Sequence, residues 1–337
     1  MIGNSSNEIL IHPSRFAPVL EKALLSSLRV REMDHQFHYD SPRKAARWLR
    51  LHQAFSPACT DPDCERLYET AFTQGVAPRL LGAHAVEVVS LGCGGGQKDA
   101  RLLASIRRLK SSAPLHYLPT DASIPLAFTA RDAAKAVGVP AEAIAPVALD
   151  LAGCADWLSA LAPVLEKGAS RIVCFFGMLP NFVPCHVLPQ LAALLGPGDL
   201  LLASANYAPG KDYDAGVARI LPLYDNHLTR DWLWTVMTDL GVRRQDARMR
   251  FCIQPCPQGS GLLRIEARLH FRRACRIEHA NEAFEYVPGE EFRLFFSYRH
   301  TPERLATLLK PLGLSMQGEW RNASGEEGVF LCTREGG

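Results

Sequence analysis

No apolar run in this chain approaches the roughly 18 residues that a membrane-spanning helix needs, so no transmembrane segment is expected. The N-terminus, MIGNSSNEIL, has no basic stretch leading into an apolar core. No secretory leader is therefore expected, and the expected location is cytoplasmic. Excess charge is missing too. The 37 Lys and Arg against 35 Asp and Glu leave a net charge of +2 over 337 residues. Scattered basic residues with so small a surplus give no field for holding nucleic acid. Ten cysteines in a chain of this length are too dilute for a disulfide framework. Cys59 with Cys64, and Cys252 with Cys256, lack the CxxC spacing of a zinc ribbon, and no His pair follows either. His35 and His38 lie close to Tyr39 but lack a third ligand. Reduced, mostly buried thiols and no metal are the expectation.

What is present is an ordinary globular composition, 47% hydrophobic and 21% charged, in a chain long enough for one large domain or two modest ones. VEVVSL at 86–91 is a continuous apolar run and predicts a buried strand. It empties into Gly92-Cys93-Gly94-Gly95-Gly96-Gln97, where missing Cβ atoms let backbone turn sharply and approach a ligand. Helical sequence follows from Lys98. Strand, glycine loop and helix form a cradle for a nucleotide.

Before this unit, FAPVLEKALLSSLRV and SPRKAARWLRLHQAF read as helices, the second with Ser41 as N-cap and Pro42 at its first position. Asp61-Pro62 starts another. After it, strands are predicted at 115–119, 146–149, 171–176 and 199–205, separated by helices at about 98–110, 124–137, 155–166 and 185–195. Such alternation implies a parallel sheet covered on both faces. It stops at Asn206. Residues 207–300 hold a helical stretch and then strand-like sequence such as LLRIEARLHFRRAC. The rhythm resumes at Thr301, with a helix followed by LSMQGEW and EGVFLCT as an antiparallel pair closing the sheet. The expected organisation is discontinuous: 61–206 with 301–337 build the sheet domain, and 1–60 with 207–300 build a second, substrate-binding one.

The glycine loop alone says only that some nucleotide binds. The NAD fingerprint wants a third glycine at position 97 for close helix packing, and Gln97 stands there, so the loop fits GxGxG better. Asp121 follows the second strand, where a carboxylate accepts hydrogen bonds from a ribose diol. Asp150 follows the third, placed to meet an adenine amino group. Two acids at consecutive strand ends suit an adenosine without phosphates, and no P-loop lysine is present to offset a pyrophosphate. The plainer reading is that both acids cap the helices after them.

At this point the sequence resembles the histidine-specific SAM-dependent methyltransferase family, over about Phe37 to Thr333 and through several short motifs. FHYDSP, SLGCGGGQKD, YLPTD, FFGMLPNFVP, YDN at 224–226 and GEEFRLFFSYR carry the resemblance. It implies an α/β fold, the Rossmann-like doubly wound sheet of class I SAM methyltransferases, with a discontinuous α+β substrate-binding domain. It implies S-adenosyl-L-methionine (SAM) as cofactor and a small amine or amino acid as substrate. Asn181 and Tyr224 would then hold the α-amine and carboxylate of the acceptor, with Tyr39 nearby and Ser297 close to its side chain. Gly92, Cys93, Gly94, Lys98, Asp121 and Asp150 would contact the cofactor. Each has an ordinary alternative: Asn181-Phe182-Val183-Pro184 as a turn, Tyr224 as a half-buried helix tyrosine, Ser297 as a strand serine. Trp232 and Trp234 read as packing.

One departure bears on the substrate. Histidine-selective members carry a glutamate two residues before the serine, and this chain has Phe295 there. A more apolar or aromatic acceptor fits that exchange. The rival functions are a non-catalytic SAM- or nucleotide-binding protein and an NAD-type dehydrogenase. The first is disfavoured by Asn181 and Tyr224 together, the second by Gln97 and the closing antiparallel pair. Oligomeric state is open between monomer and dimer.

Overall fold

The computed structural model describes residues 8–110 and 112–334. The segment 1–7, on which the leader expectation rests, and residues 335–337 of the sheet segment lie outside it.

Among the described residues, one short strand and four α-helices precede the alternating unit. They are β1 (Leu10–Ile11), α1 (Ala17–Val30), α2 (Pro42–Phe55), α3 (Pro57–Thr60) and α4 (Pro62–Thr70). Ser41 accepts from the Lys44 N–H and Asp61 from the Asp63 N–H, so both expected caps form. The central unit follows as β2 (Val86–Leu91), α5 (Gln97–Leu109), β3 (Leu115–Asp121), α6 (Ile124–Ala136), β4 (Val147–Ala148), α7 (Trp157–Leu161), β5 (Ser170–Phe175), α8 (Pro184–Ala193) and β6 (Leu200–Asn206). Next come α9 (Tyr213–Tyr224) and α10 (His227–Asp239), then β7 (Ala247–Pro255), β8 (Leu263–Phe271), β9 (Cys275–His279), β10 (Glu282–Tyr286) and β11 (Glu291–Arg299). α11 (Pro302–Leu309), β12 (Leu314–Arg321) and β13 (Glu327–Arg334) end the described chain.

Eight strands form one sheet in the order β1-β4-β3-β2-β5-β6-β13-β12. All neighbours are parallel except β13, which runs antiparallel to both β6 and β12. This is the doubly wound α/β sheet of the class I methyltransferase architecture. β2 is buried along its whole length because each face meets helices. Val86 and Val88 pack with α4 and α5, while Val89 and Leu91 pack with α7, α8 and α11. The strand order reverses between β2 and β5, which opens a crevice at their carboxyl ends.

Leu10–Ile11, which lies in the 1–60 segment, adds to the edge of this sheet beside β4. Two residues exposed on both sides gave the sequence no strand pattern to show. The remaining strands build a three-stranded antiparallel sheet, β11-β8-β7, and a β9–β10 hairpin. Their apolar faces share a core with α1, α10 and the 33–51 region, containing Leu28, Phe37, Trp232, Met237, Leu269 and Phe292. No helix is long and apolar enough to cross a membrane among the described residues.

Candidate functional site

One cavity of about 380 Å³ opens at the crevice and runs from the sheet to the three-stranded unit. Gly92, Cys93, Gly94, Lys98, Asp121 and Asp150 line its polar end. Tyr39, Asn181, Tyr224, Phe295 and Ser297 line its aromatic end.

The polar end is shaped by backbone. Gly92, Gly94 and Gly96 have φ of 68°, 55° and 72°, in the left-handed region that glycine enters freely. A Cβ on Gly96 would stand 2.6 Å from Ala130 Cα, so α6 packs directly on the loop. One on Gly94 would meet the Trp48 ring at 2.9 Å. The loop is clamped by Asp121, whose carboxylate accepts from the Gly94 N–H at 3.0 Å and the Ser123 N–H at 2.8 Å. Asp150 accepts from the Ala152 and Gly153 N–H groups at 3.1 and 3.0 Å. Both acids thus do cap the turns after their strands, and both still line the cavity. A carboxylate has about four lone-pair directions, so two backbone bonds leave acceptor capacity over. Burial pushes each up to about 6, against the pull of those N–H groups and of Arg15. The Cys93 thiol is pushed well up by burial, and by Asp121 and Asp99, which leaves it unreactive.

Lys98 also lines the cavity, but its ammonium is engaged. It donates to the Tyr68 hydroxyl at 2.8 Å and lies 3.4 Å from Glu327, which the Tyr68 hydroxyl also bonds.

The aromatic end is made by side chains from distant segments. A short turn at His35–His38, capped by Asp34 on the Gln36 N–H at 3.1 Å, runs beside β11. At this point β11 carries a bulge between Arg293 and Phe295, the usual device for re-aiming side chains. His38 Nε2 donates to the Leu294 carbonyl at 2.7 Å, and Trp232 Nε1 donates to the His38 carbonyl at 3.0 Å. These two bonds tie the turn, the bulge and α10 together. The result is a wall in which the Phe295 ring lies 5.3 Å from His35, 5.8 Å from Trp232 and 6.2 Å from Tyr224, between centroids. Burial holds His35 well below the usual imidazole range and His38 down to about 4, so both rings are neutral at neutral pH. Tyr39 packs edge-on to Trp48 at 5.8 Å, and burial, then Asp121, pushes its hydroxyl up.

Tyr224 sits at the end of α9. Its hydroxyl donates to Ser297 Oγ at 2.8 Å and accepts from Arg299 Nη2 at 2.7 Å. Asn181 ends the short turn Leu179–Asn181 and lines the cavity, and among the described residues its side-chain amide has no hydrogen-bond partner.

All eleven residues singled out from the sequence therefore face one cavity. The sequence reading gave Arg299, His35 and Trp232 no place in the substrate site. Trp232 lines the cavity as well as packing, whereas Trp234 is core under Arg244. Arg299 had a signal: Phe295, Ser297 and Arg299 alternate along β11 and so share a face. His35 had none, because its neighbours come from β11. The described residues contain no group of three or more metal-ligating side chains, and every cysteine is free.

Among solved structures, the chain is similar to an S-adenosylmethionine-dependent methyltransferase from Clostridium acetobutylicum ATCC 824. That match has 11% identity and TM-score 0.46, and covers 86% of this chain and 99% of that one. It is also similar to magnesium protoporphyrin IX methyltransferase from Synechocystis PCC 6803 with bound SAH, at 13% identity and TM-score 0.44, over 87% and 95%. A third likeness is to the glycopeptide N-methyltransferase MtfA complexed with SAM, at 13% identity and TM-score 0.37, over 78% and 93%. At these scores the likenesses add nothing to the topology described above. No curated protein matches the chain. The family model for the SAM-dependent, histidine-specific methyltransferases matches residues 68–334, most of the chain. The chain is therefore an enzyme of the histidine-specific, SAM-dependent methyltransferase family, with S-adenosylmethionine as its cofactor.

Proposed function

We propose that this enzyme methylates the amine of an amino acid or amino-acid-derived substrate whose side chain is aromatic or apolar rather than an imidazole. The observation that carries the reading is Phe295. It stands where histidine-selective relatives have glutamate, and it is walled by His35, Trp232 and Tyr224. A buried carboxylate would hold an imidazole N–H through a charge-assisted bond of about 1.5–3 kcal/mol. A phenyl ring offers instead apolar area and ring stacking worth roughly 0.5–1.5 kcal/mol beyond burial. His35 Nε2, buried without a partner, leaves one polar atom beside that ring for a phenol or an indole N–H.

The residues at the polar end fit the cofactor. Asp121 keeps acceptor capacity toward a ribose diol and Asp150 toward an adenine amino group, while the glycine loop brings backbone N–H groups close. Gly92, Cys93, Gly94 and Lys98 complete this contact surface; Lys98 reaches a ligand by leaving Tyr68 or by sharing with it. Residues from 61–206 and 301–334 supply this end, and residues from 1–60 and 207–300, together with Asn181, supply the acceptor end. Bound SAM supplies an electrophilic methyl group on a sulfonium.

The chain's own part is orientation. In-line displacement needs a neutral amine lone pair held toward the methyl carbon. Asn181 Oδ1 and the Tyr224 oxygen are the acceptors that fix the amine's N–H bonds, so the lone pair points away from them. Ser297 and Arg299 hold the Tyr224 hydroxyl in place for this. Tyr39, close to Asp121 and Trp48, closes the cavity between the two ends.

The test is direct. Purified enzyme with SAM is offered aromatic, aliphatic and imidazole amino acids and their amines, and products are read by mass. Methylated aromatic products in excess of methylated histidine are expected. Histidine accepted as well as any other substrate would overturn the role given to Phe295.

A further inference from the structure

Among the described residues Arg299 is the one cavity-lining cation at the acceptor end, and it is 6% exposed. A guanidinium is always charged and carries five N–H donors in a planar fork. Here Nη2 donates to the Tyr224 hydroxyl and the guanidinium lies 5.3 Å from that ring's centroid, while Nε is buried with no partner. Among the described residues no carboxylate lies within ion-pair distance of it. The fold treats its other buried guanidiniums differently. Arg264 has Glu266 at 2.5 Å and Arg293 bonds Glu32, and the half-buried Arg171 has Glu87 at 2.8 Å. Glu326 lines the same cavity but faces Arg219 at 4.0 Å, and Glu327 is held by Tyr68 and Lys98. A buried charge without a counter-charge is costly, and a tyrosine hydroxyl does not neutralise it. The missing group is an anion, and the fork matches a carboxylate best.

We infer that Arg299 receives the carboxylate of the methyl acceptor, so that the substrate is an intact amino acid and not its decarboxylated amine. The inference rests on the reading of the aromatic end as the acceptor site and narrows it. Its geometry is consistent along β11. The fork reaches Tyr224 at the level of Ser297, two residues or about 7 Å from Phe295 along the strand. That separation suits a carboxylate at one end of an aromatic amino acid and its ring at the other. The α-amine then lies between them, toward Asn181 and Tyr224. Arg299 is a specificity residue in this arrangement, and through its bond to Tyr224 a positioning one.

The experiment measures binding to the enzyme saturated with S-adenosylhomocysteine (SAH), by calorimetry. The pairs are L-phenylalanine with phenethylamine, L-tyrosine with tyramine and L-tryptophan with tryptamine, together with 3-phenylpropionate, which has the carboxylate and no amine. The wild type is expected to prefer the amino acid of each pair by about 10- to 100-fold, the value of a charge-assisted fork. Arg299→Met should erase the preference, costing the amino acid about 10- to 100-fold more than its amine, and Arg299→Lys should restore part of it. Equal affinity within the pairs in the wild type overturns the inference, and that arm needs no variant to fold. So does an Arg299→Met enzyme, shown by SAH binding to be folded, that loses both members of a pair equally, because Arg299 then only holds Tyr224. If no amine or amino acid binds but 3-phenylpropionate does, and does so through Arg299, the anion site stands and the proposed function falls. If 3-phenylpropionate fails as well, the inference is overturned.

Discussion

The two ends of the cavity are built by different means. At the polar end, three glycines in left-handed conformation and two strand-end acids fall within 65 residues of one alternating βα unit. The hydrogen bonds of both acids there run from carboxylate to backbone N–H. At the aromatic end the wall comes from residues 35–39, 224–232 and 295–299, and its ties span as much as 256 positions. A backbone-built pocket tolerates little change and admits one kind of ligand. A side-chain-built wall can be recoloured by a single exchange, as Phe295 illustrates. Such a division lets the acceptor end change while the cofactor end stays as it is.

The comparison is broken most severely at Gly96. Its Cβ would strike Ala130 backbone at 2.6 Å, and its φ of 72° strains any other residue. Gly96→Ala should cost about 2 kcal/mol or more in stability and abolish SAH binding, measured by denaturant titration and calorimetry. Gly92→Ala should cost less, since its Cβ meets the flexible end of Met178. Equal losses would mean that loop backbone strain, not packing on α6, sets the effect.

At the other end, Phe295→Glu should move acceptor preference toward histidine by about 10- to 100-fold in the ratio of kcat/KM values, without changing SAH affinity. An unchanged ratio would remove Phe295 from specificity. Between these lies Asp121→Ala, which should weaken SAH by at least about tenfold while leaving aromatic amino-acid preference intact. Unweakened binding would reduce Asp121 to the cap of Gly94 and Ser123.

The same contrast explains what the sequence revealed. The β2 run, the glycine loop, Ser41, Asp61 and the strand-end acids are local patterns, and each formed within a residue or two of its expected place. β3 runs on to include Asp121, so this acid ends a strand instead of following one. Asn181, Tyr224 and Ser297 came through family resemblance, not through any pattern in their own neighbourhood. The bulge at Arg293–Phe295 left no trace in FRLFFSYR, because it depends on His38 reaching the Leu294 carbonyl. His35 looked like half of a weak metal pair and is instead a neutral ring against Phe295. Lys98 was legible as a cation after the loop, but its partners Tyr68 and Glu327 lie 30 and 229 positions away.

The smallest predicted effect is a pH dependence confined to the polar end. Burial raises Asp121 and Asp150 to about 6 from an ordinary 3.8. In the ligand-free enzyme the folded state therefore keeps protons that the unfolded chain has already released. The stability these two groups contribute is complete below about pH 4 and is lost as pH rises through about 6. Hydroxyl and amino donors of a bound adenosine favour the ionised carboxylates and reverse that burden. SAH affinity should accordingly fall as pH drops from 7.5, about twofold per carboxylate at pH 6 and steeply below it. The stabilisation SAH gives in thermal unfolding should grow from pH 5 to pH 7. Calorimetry at pH 6 in two buffers of different ionisation enthalpy should register proton release on binding. Acceptor binding to the SAH-saturated enzyme should show no inflection near 6, since the neighbouring His35 and His38 are already neutral there. A flat SAH profile from pH 7.5 to 5 would mean that the carboxylates meet backbone alone and that the glycine loop holds the cofactor without them.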